Sequence, residues 1–126
     1  KKTVKLVDTT GLINEIHKDL LIRKAMAQTL AALQQAQIIL HVLDAYALGQ
    51  IERFYDPKDE DLDVQLATFA GSKSGYCIVA NKMDLPGSKR GLTRIKRVFI
   101  GHKILPVSLV TKEGLKEVRR HVLHNI

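Results

Sequence analysis

Short apolar runs alternate along the chain with stretches in which apolar residues recur every three or four positions. Ile38–Leu43 and Tyr76–Ala80 are nearly continuous apolar runs, as expected of strands that are covered on both faces of a sheet. Segments 3–7 and 103–107 also have the character of strands. Helical spacing predicts helices over about 18–35, 60–70, 92–100 and 115–122. Strands that alternate with helices in this way indicate an α/β fold with a mainly parallel sheet.

The length of the chain, 126 residues, is that of one ordinary domain. No internal repeat and no linker divides it, so we predict a single domain over residues 1–126. In a parallel sheet, ligands bind outside the carboxyl ends of the strands. The loops that follow the predicted strands are therefore the places where functional side chains are expected, and three of the four loops are polar.

The loop after the first predicted strand reads Asp8-Thr9-Thr10-Gly11. A carboxylate at the end of a strand can hold a magnesium ion directly or through water. A glycine three residues later lets the backbone come close to a phosphate, where its N–H can donate a hydrogen bond. This D-x-x-G pattern is weak evidence by itself, because Asp and Gly are ordinary turn residues.

The loop after the third predicted strand, Asn81-Lys82-Met83-Asp84, carries the strongest signal. An aspartate can accept two parallel hydrogen bonds from the N1–H and the exocyclic amino group of guanine, whereas adenine lacks these two donors. An asparagine can tie neighbouring loops together, and a lysine stem can lie along the flat face of the base while its ammonium stays solvated. The motif therefore predicts guanine recognition.

The loop after the fourth predicted strand begins with Ser108 and Leu109. A backbone N–H in this position would reach the carbonyl oxygen of the base. Taken alone, the segment is only a turn and a helix start. As the third polar loop at the same edge of the sheet, it adds to the predicted site.

Together these motifs resemble the later two-thirds of a GTPase domain, most closely that of the Era-like, TrmE-like and EngA-like group of translation-factor-related GTPases. The resemblance covers almost the whole chain and implies a three-layer P-loop GTPase-like fold that binds GTP or GDP with Mg²⁺. It also implies that Asp8 acts on the magnesium ion and that Gly11 senses the γ-phosphate. The full-length protein would then be a GTPase that converts GTP to GDP and phosphate.

The same resemblance assigns the guanine site. Asn81, Lys82 and Asp84 match the N-K-x-D motif that grips the base. Ser108 and Leu109 stand at the Ser-Ala motif that contacts it, with Leu109 in place of the usual alanine. Near the base, the larger side chain of Leu109 is expected to affect nucleotide affinity.

The chain departs from the GTPase pattern at its beginning, since it contains no G-x-x-x-x-G-K-[ST] phosphate loop and none of its glycines is followed by lysine. The first strand and the switch I region are missing as well. We therefore expect an N-terminally incomplete chain, which alone would bind nucleotide poorly and turn over little GTP. The missing strand would lie between the strands over 3–7 and 38–43.

We assign no catalytic residue. Ras-like enzymes orient the attacking water with a glutamine just after the D-x-x-G glycine, and Leu12 occupies that place here. Hydrolysis is then expected to be slow and to be completed by a partner, a cation or another loop, with segment 12–18 as the mobile switch. The alternative is a non-hydrolysing module with a G-domain-like fold that serves as a scaffold on RNA or protein.

The excess positive charge is confined to the last third of the chain. Residues 1–85 carry 10 Lys and Arg against 11 Asp and Glu, whereas residues 86–126 carry 10 against 2. A solvated, helix-rich surface and a contact to RNA phosphates both fit this pattern, and the resemblance to GTPases of RNA and ribosome assembly favours RNA. The candidate contacts on the two last helices are Arg90, Arg94, Arg97, Lys112, Lys116, Arg119 and Arg120.

The location is expected to be cytoplasmic. The longest apolar run, Ile38–Leu43, is too short to span a membrane, and the N-terminus lacks a stretch of signal-peptide length. The one cysteine, Cys77, excludes an intrachain disulfide framework.

Overall fold

The structure is a computed structural model, and it describes residues 4–7, 20–52, 56–57 and 61–126. The predictions made for Asp8, Thr9, Thr10 and Gly11, and for the segment 12–18, lie outside the described residues. The chain divides into two compact units, Lys1–Ala36 and Gln37–Ile126.

The first unit contains helix α1, Leu20–Gln35, which confirms the predicted helix over most of its length. Residues 4–7 are exposed and have no regular secondary structure, so the strand predicted over 3–7 is wrong for the described part of that segment. A strand needs hydrogen-bonding partners for its backbone, and apolar character alone does not supply them.

The second unit is built on a parallel sheet of three strands in the order β1–β2–β3. The strands are β1 (Ile38–Asp44), β2 (Gly75–Asn81) and β3 (Ile104–Pro106). The helices between and after them are α2 (Ala45–Gln50), α3 (Leu62–Ala70), α4 (Ser88–Val98) and α5 (Leu115–His124). This order confirms the α/β fold with a parallel sheet.

The core is centred on β2, whose residues from Gly75 to Ala80 are all buried. On one face, Cys77 and Val79 form an apolar cluster with Val107, against which Leu115 and Val118 of α5 pack. This packing explains why the run 76–80 is continuous: the central strand has no solvent-facing side, so every position is apolar.

The burial of β1 differs from the prediction for a strand covered on both faces. Ile39, His41 and Leu43 are buried, whereas Leu40 and Val42 are 36% and 58% exposed. Leu40 pairs with Cys77 in the sheet, and Val42 pairs with Val79, so these apolar side chains share the face on which α5 lies. Within the described residues, α5 covers this face at β2 and leaves it open at β1.

A buried histidine joins α3 to the sheet. His41 Nε2 lies 2.8 Å from Asp63 Oδ1 on α3, and His41 Nδ1 lies 2.8 Å from the hydroxyl oxygen of Tyr76 on β2. The N-terminus of α3 is capped by Asp61, whose carboxylate accepts hydrogen bonds from the backbone N–H groups of Asp63 and Val64. Among the acidic residues before this helix, Asp61 therefore serves as its N-cap.

Helices α2 and α4 cross at very short distance. A Cβ at Gly91 of α4 would overlap the carbonyl oxygen of Ala45, and a Cβ at Gly49 of α2 would overlap that of Gly87. Gly87 has a φ of 88°, which glycine adopts without strain. The two helices are therefore held backbone to backbone beside the carboxyl end of β1.

None of the helices in the described part of the chain has the length and apolar character needed to cross a bilayer.

Candidate functional site

The carboxyl ends of the three strands bring the predicted guanine-binding residues together. The parallel register of β1 and β2 pairs Asp44 with Asn81, so both strands end at the same level. The loop after β3 is joined to the loop after β2 by the N–H of Met83, which donates to the carbonyl oxygen of Val107 at 3.1 Å. The N-K-x-D loop and the Ser108-Leu109 loop thus form one surface.

The N-K-x-D loop leaves β2 through a sharp turn at Lys82, whose φ is 73°. A residue with a side chain rarely adopts this left-handed conformation, and holding one there costs on the order of 1 kcal/mol. The turn is stabilised by the Ser88 hydroxyl, which donates a hydrogen bond to the carbonyl oxygen of Met83 at 3.2 Å. Strain at a loop that surrounding bonds hold in place is typical of binding sites.

The carboxylate of Asp84 is oriented by a buried hydroxyl. Ser108 Oγ donates to Asp84 Oδ1 at 2.8 Å and accepts from the backbone N–H of Thr111 at 3.0 Å. Ser108 is fully buried, whereas Asp84 is exposed. The hydroxyl therefore holds the carboxylate from the protein side, and a ligand can reach the same carboxylate from the solvent side.

The side chain of Asn81 ties the two loops together, as the sequence predicts. Its Oδ1 accepts from the backbone N–H of Leu109 at 3.3 Å, which is long for such a bond. The N–H of Ser108 donates to the carbonyl oxygen of Glu113 at 2.9 Å. The sequence predicts that one backbone N–H of this loop reaches the base, and that of Leu109, whose present bond is the longer of the two, is the better candidate. The Leu109 side chain is 62% exposed, so most of its extra bulk lies in solvent.

One residue of this surface was missed by sequence reasoning. Asp44, at the end of β1, lies 2.8 Å from Lys82 Nζ through its Oδ2 atom, and its Oδ1 atom accepts from the N–H of Ala47 at 2.9 Å. The hydrogen bond to Lys82 is the main reason that the pKa of Asp44 is lowered, and the same bond raises the pKa of Lys82. The sequence signal that could have identified Asp44 is its position directly after an apolar strand, which is also the position of the N-K-x-D motif.

Arg90 and Arg94, which are among the predicted cationic contacts, donate to backbone carbonyl oxygens at the end of α2. The guanidinium of Arg94 donates to the carbonyl oxygens of Leu48 and Ile51 at 2.5 and 2.8 Å, and that of Arg90 donates to Gly49 at 3.4 Å. Carbonyls at a helix C-terminus lack partners within the helix, and cations are favoured there. Arg90 and Arg94 therefore fasten α4 to α2.

The basic residues of α5 lie along one shallow groove on the protein surface. The groove is lined by Lys116, Arg119, Arg120, Leu123 and His124. All five of these side chains are exposed, and so is Lys112, which precedes the helix. This face therefore concentrates positive charge that a polyanion can reach.

The metal site predicted at Asp8 cannot be placed, since Asp8 lies outside the described residues. Within the described ranges, no group of three or more His, Cys, Asp or Glu side chains is arranged to hold a metal ion.

Comparison with known proteins shows the family to which the chain is related. The family model described as "50S ribosome-binding GTPase" matches residues 1–82. GTPase Obg of Halalkalibacterium halodurans is 29% identical over 122 residues, which cover 96% of this chain and 28% of that protein. GTPase Obg of Desulfitobacterium hafniense is 38% identical over 91 residues, which cover 68% of this chain and 20% of that protein. The chain thus spans less than a third of the length of these relatives.

Proposed function

The chain belongs to the 50S ribosome-binding GTPase family, and from this premise we propose that residues 1–126 are part of one guanine-nucleotide-binding domain of a GTPase switch. The bound nucleotide would be GTP or GDP, and the full-length protein would hydrolyse GTP to GDP and phosphate. The observation that carries this proposal is the pairing of Ser108 with Asp84, because it prepares an exposed carboxylate at the edge of a parallel sheet.

The proposed recognition of guanine follows from the geometry of this carboxylate. Ser108 occupies one position on Oδ1, and each carboxylate oxygen can accept more than one hydrogen bond. Asp84 can therefore accept the N1–H and amino N–H of guanine while it keeps the serine bond. The N–H of Leu109 would exchange its long bond to Asn81 for a bond to the base's carbonyl oxygen, and the Lys82 stem would cover the face of the base.

The nucleotide phosphates and Mg²⁺ would be handled by the other motif. We propose that Asp8 acts on the magnesium ion and Gly11 on the γ-phosphate, as D-x-x-G implies. Bound Mg²⁺ would neutralise charge on the phosphates during transfer. We assign no catalytic base, and Leu12 offers no group that could orient a water molecule.

Among GTPase subgroups, we propose an Obg-like protein. The relatives reported above carry the name GTPase Obg, and none of them bears the Era, TrmE or EngA name expected from the motifs. We propose a cytoplasmic location on the sequence argument alone.

We also propose that the basic face of α5 contacts RNA, within or outside a ribosome. Support comes from the exposed cations Lys116, Arg119 and Arg120 on one side of a ten-residue helix. Phosphate contacts of this kind give affinity without sequence preference. Lys112 and Arg97 were also predicted as contacts and remain part of the proposal. Arg90 and Arg94 are left out of it, because their side chains bind carbonyl oxygens at the end of α2.

The decisive test is the substitution Asp84→Asn in the full-length protein. Xanthine has a carbonyl oxygen where guanine has its exocyclic amino group. The amide introduced at position 84 can donate a hydrogen bond to that oxygen but not to the amino group, so we expect weaker binding of GDP and GTP and stronger binding of xanthine nucleotides. Loss of one charge-assisted contact of about 1.5–3 kcal/mol predicts a drop in guanine nucleotide affinity of about 10-fold to 100-fold. Binding is measured by calorimetry with GDP and with xanthosine diphosphate.

The control is Glu117→Gln, which removes an exposed carboxylate from α5 at a distance in sequence from the motif. It should leave both affinities unchanged. An unchanged guanine preference in Asp84→Asn would refute the assignment of Asp84. Normal guanine binding without any GTP hydrolysis, in the presence of Mg²⁺ and ribosomes, would favour the scaffold function instead.

A further inference from the structure

The ion pair between Asp44 and Lys82 joins two strand ends at the proposed base site. The pair connects Asp44 Oδ2 with Lys82 Nζ at 2.8 Å. Asp44 lies opposite Asn81 in the sheet register, and Lys82 is the next residue of the motif. The side chains of Asp44 and Lys82 are 38% and 48% exposed, so the pair lies at the protein surface.

Asp44 is itself held firmly. Its second oxygen accepts from the N–H of Ala47, which makes it the N-cap of α2. The other end of α2 is fastened by the Arg94 guanidinium, and Gly91 lets α4 lie directly against its first turn. The carboxylate that meets the lysine is therefore part of a rigid element and not of a free loop.

A lysine side chain loses considerable rotamer freedom when it is placed over a ligand. Ordering such a side chain costs up to about 2 kcal/mol, and the cost is smaller if the ammonium is already anchored before the ligand binds. The left-handed turn at Lys82 fixes the backbone end of the side chain. If the ammonium end is anchored as well, the aliphatic stem between the two ends can adopt fewer conformations.

We propose that Asp44 is a positioning residue for nucleotide retention: by holding the Lys82 ammonium, it keeps the lysine stem over the face of the bound guanine. The inference rests on the proposed function, since it assumes that a guanine nucleotide occupies the site. It assigns Asp44 no contact with the base or the phosphates. The stem covers the face of any purine, so the effect is independent of the hydrogen bonds that select guanine.

The test is Asp44→Asn in the full-length protein. Asparagine is as good an N-cap as aspartate, so the cap of α2 is retained while the ion pair is lost. Exposed ion pairs contribute about 0.2–1 kcal/mol, which predicts dissociation of GDP about threefold faster. Dissociation of fluorescently labelled GDP and inosine diphosphate is followed by stopped-flow, and we expect the same factor for both nucleotides. Thermal unfolding checks that the fold is unchanged.

Two further measurements separate positioning from a structural effect. Lys82→Met keeps an apolar stem and removes the ammonium, so Asp44→Asn should have no further effect in that background. The difference between the unsubstituted protein and Asp44→Asn should also shrink as KCl is raised towards 1 M, because salt screens an exposed pair. An effect that persists in the Lys82→Met background would overturn the inference.

The inference and the proposed function fail in different ways. If the unsubstituted protein binds GDP and Asp44→Asn releases it at the same rate, only the positioning role of Asp44 is refuted. If the unsubstituted protein binds no guanine nucleotide, the proposed function is refuted, and the inference that depends on it is refuted as well. A change for GDP but not for inosine diphosphate would show that Asp44 acts through guanine selection and would also overturn the inference.

Discussion

Ser108 shows how a single buried hydroxyl can orient a carboxylate of the proposed guanine site. It donates to Asp84 and accepts from the N–H of Thr111, while its own N–H donates to Glu113. Every hydrogen-bonding group of this residue except its carbonyl is thus used in organising the loop after β3. A buried polar group with satisfied partners rigidifies its surroundings, and here it orients a carboxylate that would otherwise rotate freely.

Ser108→Ala is therefore expected to weaken guanine nucleotide binding without unfolding the protein. Without the hydrogen bond that orients Asp84, the free energy of GDP binding should be less favourable by about 1 kcal/mol, which corresponds to a roughly fivefold rise in the Kd for GDP. The N–H of Thr111 loses its acceptor, but Thr111 is exposed and water can replace the hydroxyl. Calorimetry with GDP measures the effect, and an unchanged Kd would show that Asp84 needs no support from Ser108.

At the scale of elements, the rigid unit beside the site is the pair of α2 and α4. The pair combines glycine contacts at Gly49 and Gly91 with arginine side chains that bind the last carbonyls of α2. Asp44 caps the other end of α2. Arg90 and Arg94 of α4 therefore serve the fold beside the proposed site, and the basic character of this helix does not by itself indicate a nucleic-acid contact.

Gly91→Ala tests this packing. The added methyl would overlap the carbonyl oxygen of Ala45, a backbone atom that cannot move away cheaply. We expect a loss of at least about 2 kcal/mol in the free energy of unfolding, measured by chemical denaturation. Lys96→Ala, at an exposed position of the same helix, is the matched control and should change stability by less than about 0.5 kcal/mol. Equal stability of both variants would show that α2 and α4 can move apart to accommodate the added methyl group without loss of stability.

The elements that sequence predicted well are those in which apolar spacing and packing agree. β2 is buried on all sides, and α5 presents Leu115 and Val118 to it, so both elements had clear patterns. The pattern of α4 was weaker: the helix begins at Ser88, four residues before its predicted start. Its first turn contains no apolar residue, and contact with α2 is made by Gly91, which carries no helical signal.

The elements that sequence missed depend on tertiary contacts. Helix α2 has six residues, too few for a periodic pattern, and its N-cap, Asp44, is also the last residue of β1. The position of the loop at Asn81, Lys82 and Asp84 could be predicted because it directly follows the apolar run of β2, and its recognition of guanine stays a prediction. The ion pair with Asp44 could not be predicted, because it joins residues that only the strand register brings together.

For the whole molecule, the distribution of charge separates the proposed nucleotide site from the proposed RNA surface. The site carries Asp44 and Asp84 with one cation, Lys82, whereas the groove on α5 is lined by three cations and no carboxylate. Residues 86–126, with 10 Lys and Arg against 2 Asp and Glu, carry a net charge of +8, whereas residues 1–85, with 10 against 11, carry −1, which gives the chain total of +7. A polyanion would therefore be drawn to α5.

The salt dependence of RNA binding tests this assignment. In the full-length protein, replacing Lys116, Arg119 and Arg120 by glutamine removes up to three phosphate contacts. Each lost contact should reduce the slope of log affinity against log salt concentration by about 0.7–0.9, or about 2 to 3 in total. Binding to ribosomal RNA is measured by fluorescence anisotropy over a range of KCl concentrations.

The matched control removes the same net charge from elsewhere in the basic third, with glutamine at Lys89, Lys96 and Lys103, all of which are exposed. If α5 is the contact, the control should keep nearly the full slope, because counterion release counts only the phosphates that are actually neutralised. Equal slopes for the two triple variants would mean that RNA responds to total charge, and the groove on α5 would then lose its role as a defined surface.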